Sequence, residues 1–252
     1  KINAVRLINV NYNNNAYRIS DETLHFNGKS TLISLQNGGG KSVLVQMLTA
    51  PFVHPKYRNT KDRLFESYFT TNKPSFILVE WALDQGAGYV LTGLMVRKSQ
   101  DMEEDRKENL DIIGIVSEYQ SPCIQDIHHL PVVEKGKKEM ILKNFNSCRQ
   151  LFETYKKDRD MKFFYYDLTN YAQSRQYFNK LMEYQINYKE WETIIKKINL
   201  KESGLSDLFA DCKDEKGLTE KWFLEAIESK LNKDKNRIKE FQSILEKYAG
   251  QY

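Results

Sequence analysis

The sequence predicts an α/β fold, a mixed sheet with helices, followed by the base of an antiparallel coiled-coil arm. Three observations carry that expectation. Short β-branched and apolar runs recur through the first 170 residues at strand length. A glycine-rich turn, "LQNGGGKS" (35–42), stands between an apolar strand and an apolar helix. Near the C-terminus, Leu218, Trp222, Phe223, Ile227 and Leu231 repeat at helical spacing, and Ile238, Phe241, Leu245 and Tyr248 recur at three and four residues, as heptads do. The expected organisation is a head over 1–170, a helical extension of it over 171–215, and the start of an arm over 216–252.

Element by element, "AVRLINVNYNNNAYRI" reads as a strand, an Asn-rich turn and the start of a second strand. "ETLHF" runs into Asn27-Gly28, a pair that tolerates the positive φ angles of a two-residue hairpin, and "STLISL" returns as a strand. The helix "KSVLVQMLTA" is expected to stop at Pro51. Residues 56–72 are polar and basic with room for a short helix. "SFILVEWAL" and "GYVLTGLMVRK" are two strands joined by "DQGAG", and 100–109 is a solvated charge run. "DIIGIVSEY" is a strand, "LPVVEKGKKEMIL" a hairpin with a basic tip, "SCRQLFETYKKDR" an amphipathic helix and "KFFYYDL" an aromatic strand. From Tyr171 onward the pattern is mostly helical.

With 252 residues and 40% apolar content, the chain can bury the core of one large or two small domains. No run of 18 apolar residues and no signal-type N-terminus suggest a membrane or export, so a cytoplasmic protein is expected. Cys123, Cys148 and Cys212 are odd in number and far apart, which fits a reducing compartment better than a disulfide framework. A net charge of +4 permits contact with nucleic acid without arguing for it.

Two Gly-Lys-Ser triplets lie close together, and only one has the context a phosphate site needs. Such a site puts backbone N–H groups of a glycine-rich turn, and the positive end of the following helix, around an anion. A lysine then neutralises the β- and γ-phosphates, and a Ser or Thr hydroxyl completes the Mg²⁺ shell. Gly28-Lys29-Ser30 is followed by a strand and explains itself as a turn. Gly40-Lys41-Ser42 has a strand before it and an apolar helix after it. Leu35 stands where the general pattern puts its first glycine, but Asn37-Gly38-Gly39-Gly40 can supply the turn. The competing reading is a glycine-rich turn that caps an ordinary helix.

Asn37-Gly-x-Gly-Lys-Ser resembles the loop of SMC-type ATPases, and within them the MukB-like and Wadjet-type condensin relatives. The loop's place near the N-terminus, the antiparallel strands before it and the helical run into heptads are similar in order. "WETIIKKINLKESGLSDLF" (191–209) is similar to the stretch where MukB-like heads join their coiled coil. The resemblance implies a P-loop NTPase fold of the ABC/SMC head type. It implies ATP held by Asn37, Gly38, Gly39, Gly40, Lys41 and Ser42, with the N–H of Val43 added to the cradle, and Mg²⁺ on Ser42. In that family an N-terminal lobe is completed by a C-terminal lobe of the same long polypeptide, which carries the signature motif and the Walker B Asp-Glu. Two heads then sandwich ATP, giving a homodimer that acts on DNA with a kleisin-like subunit and associates with the nucleoid. Neither L-S-G-G-[QE] nor an apolar run ending in Asp-Glu occurs here, so one lobe with its coiled-coil root is the expectation, inactive in hydrolysis by itself.

The family's Mg²⁺-contacting glutamine falls where this chain reads Phe163-Phe164-Tyr165-Tyr166-Asp167. Asp167 is thus a second candidate metal contact, with Gln173 the nearest downstream glutamine. The same stretch has the shape of a Walker B strand, which leaves open a self-contained NTPase; an aromatic core strand ending in a helix-capping Asp is the plainer alternative. Glu80, closing "FILVE", is the one carboxylate at a nearby strand end that could orient water, against an exposed strand residue. Arg58, Lys61 and Arg63 match a positive segment that meets DNA phosphates in SMC-type heads, or else form a solvated face. Lys135, Lys137 and Lys138 make the basic hairpin tip. Adjacent His128 and His129 point to opposite faces of an extended chain and argue against a metal site. A non-enzymatic DNA- or partner-binding module is the remaining alternative.

Overall fold

The computed structural model describes residues 2–12, 17–25, 46–60, 63–100, 108–136 and 140–199. It opens on β1 (Ile2–Tyr12) and β2 (Tyr17–His25), an antiparallel pair as the sequence predicts. The second expected hairpin, from Asn27 through 30–35, lies outside the described residues, as do the glycine-rich turn and the heptads. The chain is helical over 46–49 and then tightens into a 3-10 turn, Ala50–Phe52, that contains Pro51. Proline is tolerated there because a first-turn N–H has no partner to lose. The basic stretch 56–72 forms two 3-10 turns, Pro55–Tyr57 and Phe65–Tyr68, instead of one short helix.

β3 (Ser75–Ala82) and β4 (Tyr89–Lys98) flank a turn at Asp84–Gly86, and β5 (Leu110–Tyr119) follows. A small hairpin, β6 (Val133–Lys135) with β7 (Met140–Leu142), leads into α1 (Phe145–Lys157). β8 (Lys162–Asp167), α2 (Tyr171–Glu183) and α3 (Tyr188–Asn199) complete the described chain. Asn144 and Asn170 cap α1 and α2, accepting from Ser147 N at 2.8 Å and Gln173 N at 3.0 Å.

The main sheet runs β2-β1-β3-β4-β5-β8. The α/β class holds, but the sheet is not mixed among the described residues: all five pairings are antiparallel. Short reversals join β1 to β2 and β3 to β4, and the excursion through α1 brings β8 back against β5 in the reverse direction. Reversals of this kind make antiparallel ladders without a crossover helix.

Both faces of the sheet are covered. One face carries Val5, Leu7, Val79, Leu94 and Val116, packed by Met47, Phe52, Phe65 and by Tyr177, Phe178 and Trp191 of α2 and α3. The other carries Ala4, Ile8, Leu78, Met95 and Ile115, packed by Ile127, Leu130 and by Phe145, Cys148 and Phe152 of α1. Residues 171–199 therefore pack into the same core as the sheet. Gly114 lies between Ile112 and Val116 on the first face, and its missing side chain is the seat of the Tyr177 ring: a Cβ there would lie 2.6 Å from Cδ1 and Cε1. The Tyr177 hydroxyl donates to Pro51 O at 2.7 Å, which ties α2 to the end of the 46–52 segment.

Asn9 sits inside β1 with φ of 57°, a left-handed conformation that Asn tolerates better than most residues. The twist shifts the alternation of β1 by one, so Val10 faces the same core as Val5 and Leu7. Ser75 Oγ donates to Asn9 O at 2.5 Å, and Asn9 Nδ2 donates to Pro74 O at 3.2 Å. Asn9→Val is expected to lower stability by about 2–3 kcal/mol, from a β-branched residue at positive φ and a lost hydrogen bond. Asn9→Gly is expected to lose about 1 kcal/mol, and urea midpoints at constant slope separate the two.

Candidate functional site

Residues 37–43, which carry the expected ATP and Mg²⁺ contacts, lie outside the described residues. What the structure describes is the far end of the helix they are expected to open. Met47 and Leu48 are fully buried there. Gln46, a polar residue in the otherwise apolar run "VLVQML", is buried and hydrogen-bonded at both ends of its amide. Its Nε2 donates to Arg58 O at 2.8 Å and Arg63 O at 3.3 Å, while its Oε1 accepts from the Tyr68 hydroxyl at 2.5 Å. Burial, the dominant influence, raises the Tyr68 pKa, so the phenol stays a donor at neutral pH. The segment behind the expected phosphate loop is thus knotted to the 58–68 stretch by one side-chain amide.

Arg58 is part of that knot and not of a solvated face. It is 2% exposed, its Nε donates to Ala50 O at 3.0 Å, and its guanidinium lies 5.8 Å from the Phe65 ring centroid. Desolvation lowers its pKa, and the Glu108 carboxylate works in the opposite direction. A side chain so enclosed cannot reach DNA phosphates, and the expected contact at Arg58 is corrected on that ground. Arg63 is half-buried, with its N–H donated to Thr60 Oγ1 at 3.0 Å. Lys61 lies outside the described residues, as do Lys137 and Lys138 of the hairpin tip.

Glu80 is 2% exposed, so it is not the exposed strand residue that its position suggests. Asn3 Nδ2 donates to its Oε1 at 2.8 Å, while the Tyr119 hydroxyl and the Ile127 N–H donate to its Oε2. Both carboxylate oxygens are engaged within the core, which makes Glu80 a buried structural acceptor. Arg6 holds the same residue by its carbonyl, donating from Nη1 to Ile127 O at 2.9 Å, and pairs with Asp21 through two 2.8 Å bonds. Desolvation and the Glu80 carboxylate push the Tyr119 phenol well above its ordinary pKa.

The loop held this way presents the histidines. Asp126, with no exposed side-chain surface, accepts from Cys123 N, His128 N and His129 N, and contacts His129 Nδ1 at 2.8 Å. Desolvation alone would raise the Asp126 pKa, but these donors together hold it below the ordinary value. His128 stacks on His25 with centroids 4.9 Å apart, and desolvation followed by repulsion from His25 lowers its pKa. Among the described residues no group of three or more His, Cys, Asp or Glu is arranged to hold a metal ion.

Asp167 closes β8, at an edge of the described sheet. Its Oδ1 accepts from Thr169 N at 3.0 Å and Thr169 Oγ1 at 2.7 Å, and its own N–H donates to Gln173 Oε1 at 2.9 Å. These are the contacts of a turn that leads into α2, with Asp167 and Gln173 tied together through its backbone. Cys148 is buried, its thiol pushed by desolvation up to about 12. Sequence reasoning missed Gln46, Tyr68 and the Glu80 network; a polar letter inside the apolar run "VLVQML" was the available signal for the first.

The chain matches no protein-family model, and no curated protein matches it. No helix among the described residues is long and apolar enough to cross a membrane.

Proposed function

We propose that the chain is the N-terminal lobe of an SMC-like ATPase head that binds ATP and Mg²⁺. The observation that carries the reading is the motif Asn37-Gly-Gly-Gly-Lys41-Ser42, which in sequence ends four residues before Gln46, where the chain is buried and pinned. A phosphate cradle needs the helix behind it fixed, because its N–H groups stabilise charge only when they do not reorient. Lys41 and the backbone of 37–43 would hold the phosphates, and Ser42 would hold the metal ion. When bound, Mg²⁺ would supply positive charge that offsets the charge of the phosphates. Asp167, whose Oδ1 caps its own turn, would be a second metal contact only through its Oδ2. Hydrolysis and action on DNA would require a C-terminal lobe and a second head, with a kleisin-like subunit and nucleoid association as further parts of the same proposal.

The test is thermal stabilisation by ATP·Mg²⁺. A ligand at about one hundred times its Kd adds about 2.7 kcal/mol to the folded state, which raises Tm by several degrees. Lys41→Ala is expected to remove the shift, and chelation of Mg²⁺ to reduce it. Absence of a shift in the unsubstituted chain at millimolar ATP would overturn the reading. Turnover by the isolated chain above that of Lys41→Ala would point instead to a self-contained enzyme.

A further inference from the structure

At the end of β1 and β2, Asn9, Asn11, Arg18, Thr70, Thr71 and Lys73 line an open groove of about 440 Å³. We propose that this groove grips backbone phosphates of a nucleic acid. The inference draws on the DNA half of the proposed function and needs nothing from the ATP half.

Three features of the groove carry it. First, the described residues that line it include two cations, Arg18 and Lys73, and no carboxylate, so its field favours an anion, while the stems of these side chains form much of its wall. Arg18 and Lys73 come from separate segments: Arg18 sits opposite Asn11 in the β1–β2 ladder, and Lys73 belongs to the turn that enters β3. Second, neutral polar groups lie between the cations and are held in place. Asn11 Nδ2 reaches Thr70 Oγ1 at 3.4 Å, Lys98 N donates to Thr71 O at 3.1 Å, and left-handed Asn9 anchors the strand end through Pro74 and Ser75. Third, no aromatic ring among the described residues lines the groove, so the lining offers a base nothing to stack on.

The first two features suit phosphate, and the third selects backbone over base. The open shape selects a polymer over a free anion. Arg18, Thr70, Thr71 and Lys73 are all exposed, and none is a buried charged donor of the kind that makes a small-anion site tight. Contacts of this kind act mainly by releasing counterions from a polyanion, and they add up only along a strand that meets other contacts too. They fix position without reading sequence.

The test compares the chain with Arg18→Gln/Lys73→Gln for binding to a labelled duplex of about 30 base pairs across a salt series. The control is Lys156→Gln/Lys189→Gln, which removes the same charge from two exposed cations on α1 and α3. Each lost phosphate contact lowers the slope of log K against log salt by about 0.9, so the groove variant is expected to lose about 1.8 in slope and about tenfold in affinity at low salt. The control pair is expected to change neither by half as much. Equal effects from the two pairs, or no effect from the groove pair, would overturn the groove while leaving DNA binding intact. No duplex binding by the unsubstituted chain at low salt would overturn the groove, while the DNA action proposed for the completed two-headed assembly and the ATP shift are read separately. Displacement of the duplex by inorganic triphosphate at equal phosphate concentration, lost in the groove variant alone, would make it a small-anion site and overturn the nucleic-acid assignment.

Discussion

Gly93→Ala is expected to destabilise the chain by about 3 kcal/mol, seen as a lower urea midpoint at unchanged slope. Gly93 lies in β4, paired with Leu78 of β3, in the middle of a sheet covered on both faces. A Cβ at this position would run into the carbonyl oxygen of Ile77, and would lie 3.0 Å from Leu78 Cδ2 and 3.1 Å from Leu78 Cα. A side chain could swing aside, but a ladder carbonyl cannot move without stretching the β3–β4 pairing. Gly86 provides the contrast. Its φ is 69° and a Cβ would meet nothing within 4 Å, so Gly86→Ala should lose only the backbone strain, about 1 kcal/mol. Equal losses at the two positions would show that close strand approach is not what Gly93 provides.

Glu80→Ala is expected to be at least as damaging, at about 3–5 kcal/mol. The substitution strands three donors at once: the Asn3 amide, the Tyr119 hydroxyl and the Ile127 N–H. Each unsatisfied buried donor costs about 1–3 kcal/mol, less whatever water or local relaxation restores. Tyr119→Phe removes one donor and leaves the carboxylate otherwise served, so about 1–2 kcal/mol is expected there. Hydrogen exchange distinguishes this account from a general loss of packing. The Ile127 amide should lose protection in Glu80→Ala far more than amides of β4 do when the two are compared at equal global stability. Uniform loss across the sheet would refute the assignment of Glu80 as the latch of the 121–132 loop.

Much of the fold is legible because its signals are local. The "DQGAG" joint between two apolar runs, the aromatic strand "KFFYYD" and the amphipathic helix over 145–157 can each be read from short stretches of sequence. What failed depends on partners that only the folded chain brings together. Glu80 looks exposed at a strand end because its donors lie 39, 47 and 77 residues away. Arg58 reads as a free surface cation, yet the groups that enclose it, Ala50 and Phe65, only meet once the chain has turned around Pro51 and again at 55–57. Strand direction was equally hidden, since periodicity fixes which face a side chain occupies and is silent on which way the neighbour runs. The phosphate loop is the reverse case. As proposed, it is legible as a motif at 37–42, which lies outside the described residues.

The Gln46 knot has a mechanical corollary. Because that amide is fastened to Tyr68 and to two carbonyls, the helix cannot roll about its axis without breaking three contacts at once. On the proposed function, a ligand held ahead of this helix would meet a stiff backstop, and the helix itself would add little to the ordering entropy of capture.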